Sequence, residues 1–389
     1  MPLALLALAI SAFAIGTTEF VTTGLLQDIA HDLSITIPQA GYLTSGYALG
    51  VVVSAPILTI LLARFNRKHT LVFLILLFIM GSVISAQAET FKQLMFGRVL
   101  SAFCHGAFFG IGAVVATTVV APNKKASAIA LMFTGLTLAN VVGVPLGTFF
   151  GQNFGWRTAF WAITLLGILG FIGLTLLVPK QISERSSILS ELAVFKRPQV
   201  WLALMMTAVG FSGLLASFAY ISPMMTEVAG FAPENLAWIL SIYGIGLVIG
   251  NIVAAKFADK ALIPTILTLL TLLVLVLVLF TYTIHIKPLA IITVFLLGAI
   301  GFGTIPPLQM YVMEKAAGAP TLASAANISA FNLGASGGVW LGGIAINAGY
   351  GFVSPNWIGA ITTGVGLLIT IYAVRQKRTL VLENGSCSK

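Results

Sequence analysis

Roughly twelve apolar stretches, each near 20 residues, follow one another along this chain of 389 residues. A stretch of that length crosses the hydrocarbon of a bilayer as a helix, about 1.5 Å per residue. No water is available there to pair backbone N–H and C=O groups, so an all-helical membrane fold follows directly. The spans are expected near residues 3–26, 40–62, 70–88, 93–120, 126–151, 156–178, 200–224, 235–257, 262–284, 288–311, 321–346 and 355–374. With 58% hydrophobic residues, 8% charged residues and a mean hydropathy of +1.04, a soluble domain is excluded. No basic region follows Met1, so the opening segment reads as a retained helix and not a cleaved leader.

Charge fixes the orientation expected of these spans. Arg64, Arg67, Lys68, Lys124, Lys125, Lys180, Arg185, Lys196, Arg197, Lys256, Lys260, Lys315, Arg375, Lys377 and Arg378 fall on one side of the map. The other side holds Lys92, Arg157 and Lys287, together with Asp28, Asp32, Glu89, Glu227 and Glu234. Positively charged loops stay in the cytoplasm, which places both termini there. The net charge of +9 is thereby a topology signal, and no nucleic-acid partner is needed to explain it.

The chain also repeats itself. Ser45, Tyr47 and Gly50 recur 196 residues later as Ser241, Tyr243 and Gly246, and Ala63-Arg64 recurs as Asp259-Lys260. At an offset of 197, Ala126-Ser127-Ala128 recurs as Ala323-Ser324-Ala325. A constant offset near half the chain points to two pseudo-symmetric six-helix bundles, residues 1–178 and 200–374. A cytoplasmic linker over 179–199 joins them, and 375–389 forms a cytoplasmic tail. Within the linker, Ile188, Leu189, Leu192 and Phe195 predict a short amphipathic helix on the inner face. Parallel halves about a central site are a transporter architecture.

Few polar groups lie at membrane depth, and each needs a reason. Glu19 stands alone in the first span, where a carboxylate costs roughly 2.5–3.5 kcal/mol on insertion scales. The jobs that justify it are carrying a proton, coordinating an ion, or pairing with a buried cation. Arg98 in the fourth span requires a carboxylate or several carbonyls nearby, unless it snorkels to the outer surface. His105 lies well inside the same span and either shares the proton load or bonds a carbonyl. Tyr47, Asn140, Tyr243, Asn251, Gln309, Asn327 and Asn332 are further polar positions at depth. Asn140 and Asn332 are the better cavity candidates, and Phe13, Phe108, Phe109, Phe133 and Phe331 are candidate aromatic walls.

Enzymatic readings find little support. Gly244, Gly246 and Gly250 imitate a nucleotide loop but lie inside an apolar span, with no phosphate lysine and no preceding strand. The four histidines, His31, His69, His105 and His285, are dispersed without metal-ligand spacing. Cys104 and Cys387 make no disulfide framework, and no nucleophile–base constellation stands out.

Several of these residues sit in patterns that resemble the major facilitator superfamily, in particular its 12-span drug:proton antiporter group. Gly16-Thr17-Thr18-Glu19-Phe20 is the most specific match, and Arg98 matches the family's fourth-span arginine. Gly135, Ala139, Gly143, Pro145 and Gly147 resemble the antiporter signature of the fifth span, although Val144 separates glycine from proline. The loop after span 2 reads Thr59, Ala63, Arg64, Asn66, Arg67, Lys68, lacking the family's two glycines and its aspartate. The second-half copy keeps Asp259-Lys260.

The resemblance implies a proton-coupled exporter of small molecules working by alternating access, with no cofactor beyond the proton gradient. It assigns proton coupling to Glu19, Arg98 and His105. A substrate cavity is expected from Thr17, Thr18, Tyr47, Phe109, Asn140, Tyr243, Asn327, Phe331 and Asn332. Conformational gating falls to Arg64, Arg67, Lys68, Gly143, Pro145, Gly147, Asp259 and Lys260. A monomer in the bacterial inner membrane is expected, with protons, a drug-like or sugar- or nucleoside-like substrate and the lipid bilayer as its partners. A proton symporter, a uniporter and a non-transporting membrane sensor are the alternatives.

Overall fold

A computed structural model of the chain describes residues 3–62, 65–121, 125–180, 192–317 and 320–386. Among them the regular elements are helical. They are α1 (Leu3–Gly24), α2 (Leu26–Asp32), α3 (Ile37–Leu62), α4 (Arg67–Ala86), α5 (Phe91–Thr118), α6 (Lys125–Leu138), α7 (Val144–Phe154) and α8 (Trp156–Leu177). The second part holds α9 (Pro198–Phe218), α10 (Leu236–Lys260), α11 (Leu262–Thr283), α12 (Lys287–Gly303), α13 (Ile305–Lys315), α14 (Pro320–Ala345) and α15 (Ser354–Ser386).

Eleven of the helical stretches are long and apolar enough to cross a membrane. The remaining long helix, α14, has 26 residues but is diluted by Asn327, Ser329, Asn332, Ser336 and several glycines. Such a composition suits a helix surrounded by protein. Side chains that face outward elsewhere, such as Leu165, Leu176, Leu275 and Leu368, are apolar and exposed, as contact with lipid requires.

Breaks in the helices fall where chemistry forces them. The predicted span 126–151 is interrupted by a π turn over Ala139–Gly143, just before Pro145, which has no N–H to offer the helix ladder. The predicted span 288–311 divides at Thr304 ahead of Pro306 and Pro307. α9 stops at Phe218, short of the predicted 224, and a second π turn covers Met224–Val228. α15 runs on past 374 to Ser386. In the linker, Leu192–Lys196 is a short 3₁₀ turn, while Ile188 and Leu189 lie outside the described residues.

Helix pairing repeats between the two parts of the chain. α1 packs on α6 and α8, α3 on α5, and α4 on α5 and α8. The same set recurs as α9 on α14 and α15, α10 on α12, and α11 on α12 and α15. Glycines at matching positions permit it: a Cβ on Gly50 would press Ala102 at 2.8 Å, and one on Gly246 would press the backbone of Phe295 and Ala299. The nucleotide-loop imitation is thus a packing face. One apolar core is built wholly from residues between Ala4 and Val178. The other is built mainly from residues between Val194 and Ala373, with Phe20, Ala48 and Val144 inserted from the first part.

Two seams join the parts. α3 lies along α14, where Ser45 donates to the Ser336 carbonyl (3.1 Å) and Ser329 to that of Val52 (3.2 Å). α10 lies against the π turn and α7, where a Cβ on Gly244 would meet the Asn140 carbonyl oxygen at 2.6 Å. At the α2 end, Gln27 donates to Glu227 (2.8 Å) and accepts from Ser222 (3.2 Å) and Thr226 (3.0 Å).

At that same end Arg157 ties three loops. Its guanidinium donates to the Ala88 carbonyl (2.9 and 2.7 Å) and to Asp32 Oδ2 (2.7 Å), which also accepts from the Trp156 indole (3.0 Å). The Trp156 hydrogen bond, then Arg157, hold the Asp32 carboxyl below the usual range. A depressed carboxylate contributes stability that is present above its unfolded pKa, near 3.9, and is lost as pH falls through the folded value. Thermal unfolding of detergent-purified protein should therefore show Asp32→Asn less stable than the parent at pH 7, with the gap closing toward pH 3. Both groups are over a third exposed, so solvent screening keeps the gap below about 1 kcal/mol. A gap that persists unchanged at pH 3 would refute the linkage.

Candidate functional site

The site is set by which face of α1 meets which neighbour. Gly16 lets Leu136 and Ala139 approach, and Gly143 leaves room for Thr17. Thr17 spends its hydroxyl on the Phe13 carbonyl (2.8 Å) and stays out of the cavity. Thr18 and the backbone of Glu19 face α5. There Arg98, fully buried, donates through Nη1 to the Thr18 carbonyl and hydroxyl and through Nη2 to the Glu19 carbonyl (3.2 Å). A helical carbonyl keeps a second lone pair, so these bonds need not break the α1 ladder. The guanidinium carbon also lies 4.4 Å from the centroid of the Tyr47 ring. Arg98 is therefore no snorkelling residue, and its partners are carbonyls and a ring.

The Glu19 side chain turns to a different partner. Its carboxylate stands 3.9 Å from His105 Nδ1, and that nitrogen lies 3.2 Å from Tyr47 Oη. Arg98 and His105 are seven residues apart on α5, two turns of one face, so a single helix face carries both. Tyr47 on α3 closes the cluster between them. At 3.9 Å the acid and imidazole stand farther apart than a direct hydrogen bond.

Glu19, His105 and Tyr47 open on a cavity of about 620 Å³ between the two parts of the chain. That volume suits a drug-sized ligand. The walls are largely apolar: Phe109 stacks on Phe133 (5.3 Å) on one side, and Phe211 meets Phe331 edge-on (4.9 Å) on the other. Asn140, Asn332 and Gln309 add amides. The lining runs from Glu19 and Phe20 to Val114, Met313 and Ser324, the ends of α5 and α13 and the start of α14. Those ends lie opposite to the Gln27–Glu227 contact.

Of the nine expected cavity residues, Tyr47, Phe109, Asn140, Phe331 and Asn332 line it. Thr17, Thr18, Tyr243 and Asn327 do not. Tyr243 is stacked flat on Phe218 at 3.9 Å, and Asn327, fully buried, donates to Gln309 (2.6 Å) behind the wall. Phe13 and Phe108 are likewise absent from the lining. Among the gating candidates, Arg67 and Lys68 start α4, capped by the Asn66 side chain on the Lys68 N–H (3.0 Å). Asp259 and Lys260 end α10, exposed, and Arg64 lies outside the described residues. Among the described residues, Asp32 pairs with Arg157 and the Glu19 carboxyl stands beside His105, while Asp259 has no such partner. Gly143, Pro145 and Gly147 form the π turn and the start of α7, pressed on α1 at Phe13 and Val21.

Phe20, Phe211, Leu215, Phe302, Gln309 and Ser324 also line the cavity, and none was expected there as a site residue. The repeat offset held a usable signal. Leu215, Val294 and Gly301 each stand 196 residues after Glu19, Arg98 and His105. The second half thus carries an apolar counterpart of the polar cluster, and Leu215 faces the cavity from the position matching Glu19.

Comparison with known proteins agrees with this architecture. The model of the Major Facilitator Superfamily matches residues 8–339, and the chain belongs to that family. It is a multi-pass membrane transporter and not an enzyme. It is 42% identical to the inner membrane transport protein YdhP of Escherichia coli (strain K12), over 98% of each chain. It is 32% identical to a chloramphenicol resistance protein of Streptomyces lividans, over 95% of each. A crystal structure of a D-xylose-proton symporter shares the fold, with a TM-score of 0.74 over 95% of this chain and 96% of that one at 14% identity.

Proposed function

We propose that this transporter exports small, largely aromatic molecules in exchange for protons, with Glu19 as the proton carrier. The observation that supports this reading is the position of the Glu19 carboxylate. It lies on the cavity wall beside His105, within the part of the lining contributed by the first half of the chain, so a bound molecule and a proton meet at one place. The 32% identity with a chloramphenicol resistance protein favours an aromatic antibiotic-like substrate over a sugar, as do the phenylalanine walls. The distribution of lysine and arginine supports a cytoplasmic side for both termini and for the end of the lining at Val114, Met313 and Ser324, in a bacterial inner membrane. Cargo then loads from the cytoplasm.

In the exchange cycle a proton arriving from outside neutralises Glu19 and removes its attraction for cationic or donor groups of the cargo. The protonated, empty carrier returns to the inward-facing shape. There the proton leaves through the cavity, and the negative charge is restored for the next cargo. Each proton entering gains about 2.3 kcal/mol per 100 mV of membrane potential. Everted vesicles energised to an acid lumen and loaded with a pH dye test the exchange. Chloramphenicol and similar aromatic compounds should be taken up into the lumen and should discharge the pH difference as they enter. Uptake that ignores the gradient, or cargo leaving the lumen with the protons, would rule the exchanger out in favour of a uniporter or symporter.

A further inference from the structure

We infer that the side-chain carbonyls of Asn140 and Asn332 set substrate choice, selecting aromatic molecules that carry O–H or N–H donors. The inference rests on the reading of the cavity as the substrate site and goes beyond it in naming the recognition chemistry. Asn140 sits in the π turn of the first half, and Asn332 sits in α14 of the second. Both are nine-tenths or more buried, and both line the cavity.

Each amide is oriented by its own helix. Asn140 Nδ2 donates to the Leu136 carbonyl at 3.1 Å, and Asn332 Nδ2 donates to the Ile328 carbonyl at 2.9 Å. A carbonyl only accepts, so one N–H of each amide is spent on the helix, and the second N–H and the whole of Oδ1 remain for a ligand. Neither oxygen has a protein partner among the described residues.

Several other polar lining groups are already engaged. Tyr47 Oη meets His105, Gln309 is bonded at both ends by Asn327 (2.6 Å) and Ser324 (3.1 Å), and the Thr44 hydroxyl meets Thr22 (3.3 Å). A charged Glu19 offers acceptors only. Two carbonyl acceptors without a protein partner among the described residues are therefore presented to the cavity, one from each half.

That bias discriminates between ligands. A molecule without donors displaces water from two buried carbonyls and leaves them unpaired. One with donors replaces the water bonds, and sites built this way reject analogues that lack the hydrogen. Because the acceptors belong to different halves, a ligand with two donors also bridges them.

Two matched pairs of probes test this on purified full-length protein by ligand-induced thermal stabilisation. Chloramphenicol is set against its di-O-methyl derivative, and propranolol against its O-methyl, N-methyl derivative. The parent compounds should bind at least ten-fold more tightly than their methylated twins. Asn140→Leu and Asn332→Leu should each weaken the parents about three- to ten-fold, the loss of one neutral hydrogen bond, and should tighten the twins, which no longer leave a carbonyl unpaired. Retained or tighter twin binding also shows that the variant pocket is folded. Asn332→Ser, whose hydroxyl donates to the same carbonyl and keeps an outward lone pair, should recover part of the loss.

Equal binding of parents and twins, or equal weakening of both by the leucine variants, overturns the inference. Absence of binding by both parents overturns it as well. Transport of the same probes in vesicles is read separately. Selective binding without pH-driven movement would leave the donor selectivity standing and remove the exporter reading.

Discussion

Glu19→Gln should abolish cargo movement driven by a pH gradient, by at least about 100-fold, in vesicles that hold normally folded protein. Glutamine keeps the shape of the side chain and its place on the cavity wall but fixes it in an uncharged form. The proton can then neither be loaded nor released, so uphill transport stops. Exchange of labelled for unlabelled cargo at equal pH on both sides should survive, because that cycle never requires the empty carrier to return protonated. The rate of this exchange should also lose its dependence on pH. Folding should not suffer, since a carboxylate at bilayer depth costs roughly 2.5–3.5 kcal/mol when charged and its removal lifts that cost. The thermal midpoint in detergent should stay level or rise. Gradient-driven transport at the parent rate would mean that the proton travels by another group.

Much of this could be read along the chain because membrane helices obey one severe rule. Backbone groups must be satisfied within each span, so length and apolarity located most of the helices within a few residues. α14 is the informative exception: a helix largely enclosed by protein has no need of lipid-like apolarity, so Asn327 can meet a neighbouring amide, Asn332 the cavity, and Gly334 and Gly338 the backbone of α9. The isolated charges Glu19, Arg98 and His105 were legible for the same reason, since nothing else at that depth excuses their cost. What they touch was not legible. For Arg98 a carboxylate and several carbonyls were both open, and the guanidinium went to the carbonyls of Thr18 and Glu19 while the carboxylate went to His105. Helix rotation decides such pairings, and rotation is set by small residues such as Gly16, Gly135 and Gly143 against α1 and α6. Polar residues were also over-assigned to the cavity. Thr17, Tyr243 and Asn327 are polar at the right depth but are spent on their own helix, on a ring and on a neighbouring amide.

Arg98 separates stability from function more sharply than any other position. A fully buried guanidinium pays a desolvation penalty of several kcal/mol, and among the described residues no carboxylate lies within 4.0 Å to offset it. Its return comes from charge-assisted bonds to two carbonyls, about 1.5–3 kcal/mol each, and from the Tyr47 face. These opposing amounts are of similar size, so Arg98→Met, which fills the volume without the charge, should leave the thermal midpoint within a few degrees of the parent. Transport should nevertheless fall on the order of 100-fold, because α1 is no longer held to α5 at the proposed proton carrier, and an error of about 1 Å at a reacting group has consequences of that size. Arg98→Lys should fail similarly, since a single ammonium cannot span both carbonyls and stack on Tyr47. A purely structural arginine predicts the reverse pattern, with activity tracking the folded fraction in every variant. The decisive readouts are the thermal midpoint and gradient-driven uptake measured on the same preparations, together with the pH dependence of cargo exchange, which a positioning role should shift and a packing role should not. A methionine variant that unfolds, while the lysine variant transports at the parent rate, would assign Arg98 to stability alone.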